Sequence, residues 1–144
     1  MVGEGSTDAA AHGYAEIFNE STFALYEINL YTRICTICQP LSILQWQLTS
    51  DYSLLWGGGI YGSKGPLRPT QRFWNIKQLA STPADALAIP VSSSKKNVNC
   101  AAFGNMVRGE YAVHMVNNGA DCEAVISGIP AEVKKLKVYV TNTK

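Results

Sequence analysis

The sequence predicts two structural characters in succession, an α/β half followed by an all-β half. Three observations carry this expectation. Residues 22–38 place apolar side chains at helical spacing and run almost directly into a short apolar segment, the pattern of a helix feeding a buried strand. A glycine-rich loop and a second helical segment follow. Beyond Pro83 the helical period gives way to short alternating segments divided by turn residues.

Taken in order, Val2 to Glu4 reads as the end of a strand. Ser6, Thr7 and Asp8 are cap-type residues before Ala9-Ala10-Ala11, and a short helix passes through Tyr14, Ile17 and Phe18. The stronger helix runs from about Thr22 to Cys38. Its apolar face is Phe23, Tyr26, Leu30, Ile34 and Ile37, with Ser21 placed to cap it and Pro40 to stop it. Leu25, Ile28 and Tyr31 lie off that face, so the helix is expected to be covered on most sides. Ser42 to Leu48 reads as a buried strand. Trp56 to Pro66 is a glycine-rich loop that lacks the pattern of a phosphate loop. Pro69 stands at the start of a helix from about Thr70 to Ala80. Strands are then expected at 98–103, 110–116, 123–126 and 136–141, with no helix of two turns among them. Four strands at this spacing suggest a sandwich without room to finish.

Composition removes several function classes. The chain has 144 residues, which suits one domain or pieces of two. Hydrophobic residues make up 47% and charged residues 16%, values of a folded chain. The net charge of +1 comes from scattered residues, with no basic stripe for nucleic acid. No apolar run nears the ~20 residues of a membrane helix, so no membrane insertion is expected. The segment Met1-Val2-Gly3-Glu4-Gly5 is no signal peptide. Cys35 and Cys38 have C-x-x-C spacing but no second ligand pair, and read as buried thiols. Cys100 and Cys122 fall in different predicted strands, and their pairing stays open. No metal or cofactor is expected. His12 and His114 read as structural, and no serine sits in a nucleophile elbow.

Glu4 draws attention by its place, at the end of a presumed strand, between Gly3 and Gly5, before a helical region. In a (β/α) barrel the catalytic groups stand at the C-terminal ends of strands. Several further segments follow in order: Leu44-Gln45-Trp46-Gln47-Leu48; Arg68-Pro69-Thr70-Gln71-Arg72-Phe73-Trp74-Asn75-Ile76-Lys77-Gln78-Leu79; Cys100-Ala101-Ala102-Phe103; and Tyr111-Ala112-Val113-His114-Met115-Val116-Asn117-Asn118. Together these resemble the family 30 glycoside hydrolases of the retaining clan A. The resemblance covers nearly the whole chain.

The resemblance implies the last two βα units of a (β/α)8 barrel in residues 1–82, followed by an incomplete antiparallel β-sandwich in residues 83–144. It places Glu4 on the seventh barrel strand as the nucleophile and Trp46 on the eighth as a stacking residue. Gln45 or Gln47, with Tyr52 or Asp51, would give hydrogen bonds to sugar. Trp46 reads equally as a barrel-core aromatic, and since Gln45 and Gln47 share one strand face, all three cannot line the site. The family's general acid/base belongs to the fourth strand, so strands one to six are expected upstream in a parent enzyme, since a barrel takes about 250 residues. The implied function is part of a retaining hydrolase acting on β-glycosidic bonds of polysaccharides or oligosaccharides, inactive alone. The parent would be secreted, periplasmic or at the cell surface. Carbohydrate is the implied partner, with self-association through unpaired strand edges. The alternative is a non-catalytic carbohydrate-binding or interaction module using Trp46, Trp56, Tyr61 and Trp74.

Overall fold

A computed structural model describes residues 2–5, 14–45, 48 and 52–142. Within them lie strand β1 (Val2–Gly5), a 3-10 turn (Ala15–Asn19), helix α1 (Ser21–Cys38), β2 (Ile43–Gln45), β3 (Leu55–Trp56) and β4 (Arg68–Pro69). Helix α2 (Gln71–Leu79) and strands β5 (Leu87–Ile89), β6 (Val98–Asn105) and β7 (Glu110–Asn117) complete the order. The expected caps at Ser6, Thr7 and Asp8, and His12, lie outside the described residues.

β1 and β2 pair in parallel, with Val2 opposite Ile43 and Gly5 opposite Gln45. The crossover between them contains α1, so residues 2–45 make the expected βαβ unit. The strand expected over 42–48 is ordered as Ile43–Gln45 among the described residues. β3 and β4 form a small antiparallel pair inside what the sequence reads as loop. Gly57 opens the turn between them at φ 95, where an added Cβ would stand 2.1 Å from the Pro66 carbonyl oxygen. Only glycine fits there. β5, β6 and β7 make an antiparallel sheet in that order.

α1 departs from its expected orientation. Its buried residues are Ala24, Glu27, Tyr31, Thr32 and Cys35, whereas Tyr26 and Ile37 of the predicted face are 60% and 70% exposed. The period is helical, but the face that packs is one residue around. It carries small and polar groups because α2 and β6 approach it closely and Arg72 needs a partner there. Ser21 does not cap the helix: Glu20 holds the N-cap position, its carboxylate accepting from the Thr22 hydroxyl at 3.3 Å and from no backbone N–H of the first turn. At the other end Gln39 turns left-handed, at φ 46, just before Pro40. Thr70 caps α2, its hydroxyl accepting from the Phe73 N–H at 3.4 Å and donating to the Leu54 carbonyl at 2.7 Å.

In the second half β6 and β7 pair over their full length, from Val98 opposite Asn117 to Asn105 opposite Glu110. Ala101 and Phe103 turn inward onto Cys35, with Ile43, Ala86 and Ala88 around them. The expected strands at 123–126 and 136–141 do not form ladders. Their apolar residues stand in water, Val125 being 86% exposed and Val138 80%. β5, which the sequence reading passed over, takes the free edge of β6 instead. No helix interrupts 98–141. Among the described residues no helix is long and apolar enough to cross a membrane.

Candidate functional site

The parallel register fixes where the predicted site residues leave the sheet. Glu4 lies between Val2, opposite Ile43, and Gly5, opposite Gln45, at the C-terminal end of β1. The chain that runs from Gln45 to Tyr52 therefore starts beside Gly5. Trp46, Gln47 and Asp51 lie outside the described residues. Gln45 itself faces α1, where its side-chain oxygen accepts a hydrogen bond from the Tyr31 hydroxyl. Burial first, then the neighbouring Glu27 carboxylate, push the Tyr31 phenol up, so it acts as a neutral donor.

Tyr52 is held from several directions. Its ring meets the edge of Phe18 at 5.3 Å, its N–H donates to the Tyr61 hydroxyl, and its carbonyl accepts from Arg72 at 3.1 Å. Its φ is 62, a left-handed conformation that a bulky residue keeps only when its surroundings over-determine it. Tyr61 stacks on Phe18 at 5.7 Å, and Trp56 lies 6.1 Å from Tyr61. Tyr52, Trp56 and Tyr61 thus pack as one half-buried aromatic group around a buried Phe18, and Tyr61 is engaged in loop packing.

Beneath this group lies a residue the sequence reading left aside. Arg72, on α2, is fully buried. Its Nε and Nη2 donate to the two carboxylate oxygens of Glu27 at 2.9 and 2.7 Å, and its Nη1 donates to the carbonyls of Tyr52 and Ser53. The guanidinium also lies 4.8 Å from the Phe18 ring centre and 5.3 Å from that of Phe23. This bidentate pair joins α1, α2 and the segment after β2 at one point. It is a positioning device, since it fixes the carbonyls of Tyr52 and Ser53 just before β3.

An open cleft of about 670 Å³ lies between α1, β2, α2 and the start of the sheet, lined by Tyr31, Leu41, Ile43, Leu79, Leu87 and Phe103 among others. Its wall is chiefly apolar, and among the described residues Asp85 is its one acidic lining residue. Retaining hydrolysis needs two carboxyls about 5–5.5 Å apart, a pair that the described lining does not supply. Among the described residues no cluster of His, Cys, Asp and Glu could hold a metal ion. Cys35 is buried, as expected, but Cys38, the last residue of α1, is exposed. Cys100 and Cys122 are free thiols. No family model, curated protein or solved structure matches the chain.

Proposed function

We propose that the chain is the C-terminal part of a retaining glycoside hydrolase acting on β-glycosidic bonds of polysaccharides or oligosaccharides. In this reading β1 and β2 are neighbouring strands of a (β/α)8 barrel and the sheet from β5 to β7 belongs to an accompanying β-sandwich. One observation supports it most: Glu4 ends a strand that pairs in parallel with the next strand across a helical crossover. That is where a barrel enzyme sets its catalytic groups. Glu4 would attack the anomeric carbon and form a glycosyl-enzyme. A second carboxyl, supplied from upstream in the parent, would protonate the leaving oxygen and then activate water. Trp46, Gln47, Asp51 and Tyr52 follow β2 and would contact sugar at the same end. The parent would be exported or displayed at the cell surface, and the unpaired edges of β1 and β2 would favour self-association of the isolated chain.

The test is turnover of aryl β-glycosides. The isolated 144-residue chain should be inactive, and in a parent chain restored upstream Glu4→Gln should abolish turnover while leaving sugar binding in place. Turnover by the isolated chain that survives Glu4→Gln would overturn the assignment.

A further inference from the structure

Helix α2 carries a second surface of interest, distinct from the residues around Glu4. Gln71, Trp74 and Gln78 recur at spacings of three and four and so share one helix face. Gln78 clasps the passing C-terminal segment from both ends of its amide. Its Nε2 donates to the Tyr139 carbonyl at 2.7 Å, and its Oε1 accepts from the Thr141 hydroxyl at 2.6 Å. The clasp holds residues 140–142 alongside the helix and leaves a groove of about 210 Å³, lined by Gln71, Trp74, Val140, Thr141 and Asn142. Trp74 is 45% exposed in it. The indole is set in place by its neighbours, with the Phe73 ring edge-on at 5.3 Å and the Lys77 ammonium 4.9 Å from its centre.

We propose that this groove is a carbohydrate-binding site that seats one pyranose ring of a β-linked oligosaccharide on Trp74. The chemistry of the lining argues for that class of ligand. A pyranose has apolar C–H faces and a rim of hydroxyls, each both donor and acceptor. Trp74 offers a wide apolar ring with a single N–H donor, and the amide of Gln71 both donates and accepts. The Thr141 hydroxyl gives its proton to Gln78, so its oxygen faces a ligand as an acceptor. The groove is smaller than the ~300–1,000 Å³ of an ordinary ligand pocket, so it fits one ring of a chain whose remainder stays in solvent.

This inference rests on the carbohydrate part of the function proposed above and not on Glu4. The two fail separately, because one is read as binding and the other as turnover. The test is an NMR titration of the 144-residue chain with cellotetraose, laminaritetraose and β-1,4-galactotetraose. The indole N–H signal of Trp74, assigned by its loss in Trp74→Phe, is followed. At least one of the three should shift that signal saturably. Trp74→Ala should weaken binding about tenfold or more, and Gln71→Ala about threefold, as expected when an aromatic anchor carries most of the affinity. No shift with any of the three, or binding that survives Trp74→Ala, overturns the site. If Trp74→Ala does not fold, full affinity in Gln71→Ala overturns it instead.

Discussion

A guanidinium taken out of water must be neutralised where it lies. Arg72 meets that requirement with one carboxylate and two carbonyls, all supplied by other parts of the chain. Both members of the pair are essentially inaccessible, at 0% and 1% exposure. Removing one leaves an uncompensated charge, at a cost of about 3–5 kcal/mol. Arg72→Met is therefore expected to lower the unfolding free energy by about that amount in urea titration. Arg72→Met combined with Glu27→Leu should recover much of the loss, since a buried pair is often replaceable by apolar residues. A loss below about 1 kcal/mol in the single variant would mean that the pair does not position the segment after β2. Neither residue is legible as a partner from sequence, because 45 positions separate them and an isolated charge on a helix reads as solvated. The place of Glu4 near the end of a strand was legible, because two glycines flank it before a helical region.

At the scale of elements, helices were legible and their facing was not. The helical period of residues 22–38 is plain, yet hydropathy selects the stripe through Tyr26 and Ile37, while packing selects the one through Ala24, Tyr31 and Cys35. Close packing against α2 and β6 rewards small side chains and a matched ion pair, and apolar periodicity records neither. Strands β3, β4 and β5 are two or three residues long, too short for a period of two to register. The reverse holds at 136–141, where alternation is present but no partner strand lies beside it. An asparagine cluster was equally hidden, since Asn reads as a turn former. Asn29 on α1 exchanges hydrogen bonds with Asn118, and its side-chain oxygen accepts from Asn99, tying α1 to the β6–β7 hairpin.

His114 joins the exit of α2 to β7. The Thr82 hydroxyl donates to the Leu79 carbonyl, which leaves its oxygen to accept from the His114 Nε2–H at 2.8 Å. Burial pushes the imidazole below its ordinary value of 6.5. The unfolded chain then takes up the proton at a higher pH than the folded one, so protonation favours unfolding. The contribution is complete above about pH 6.5 and is lost as the pH falls below it. His114→Gln keeps a donor for Thr82 and removes the titration, and should flatten the fall in urea midpoint between about pH 7 and pH 5. His12 is common to both proteins and cancels in the comparison. Identical slopes would show that His114 is not the neutral, buried group described.

At the scale of the whole molecule, the two halves meet through α1, which packs against α2 on one side and against β6 and β7 on another. Much apolar surface remains outside this arrangement, on the stripe of α1 at Tyr26 and Ile37 and along Leu136, Val138 and Val140. Exposed apolar surface on this scale is what an interaction surface carries. It agrees with the proposal that the chain works as the end of a larger enzyme, in which the parallel pair β1 and β2 continues into a barrel. The central claim is that Glu4 is the nucleophile of that enzyme, and covalent trapping tests it most directly. A 2-deoxy-2-fluoro glycosyl fluoride slows both chemical steps but keeps a good leaving group, so a retaining enzyme accumulates its glycosyl-enzyme. Peptide mass spectrometry of the restored parent after such treatment should find the fluorosugar esterified to the Glu4 side chain; a fluorosugar on any other carboxylate would contradict the account.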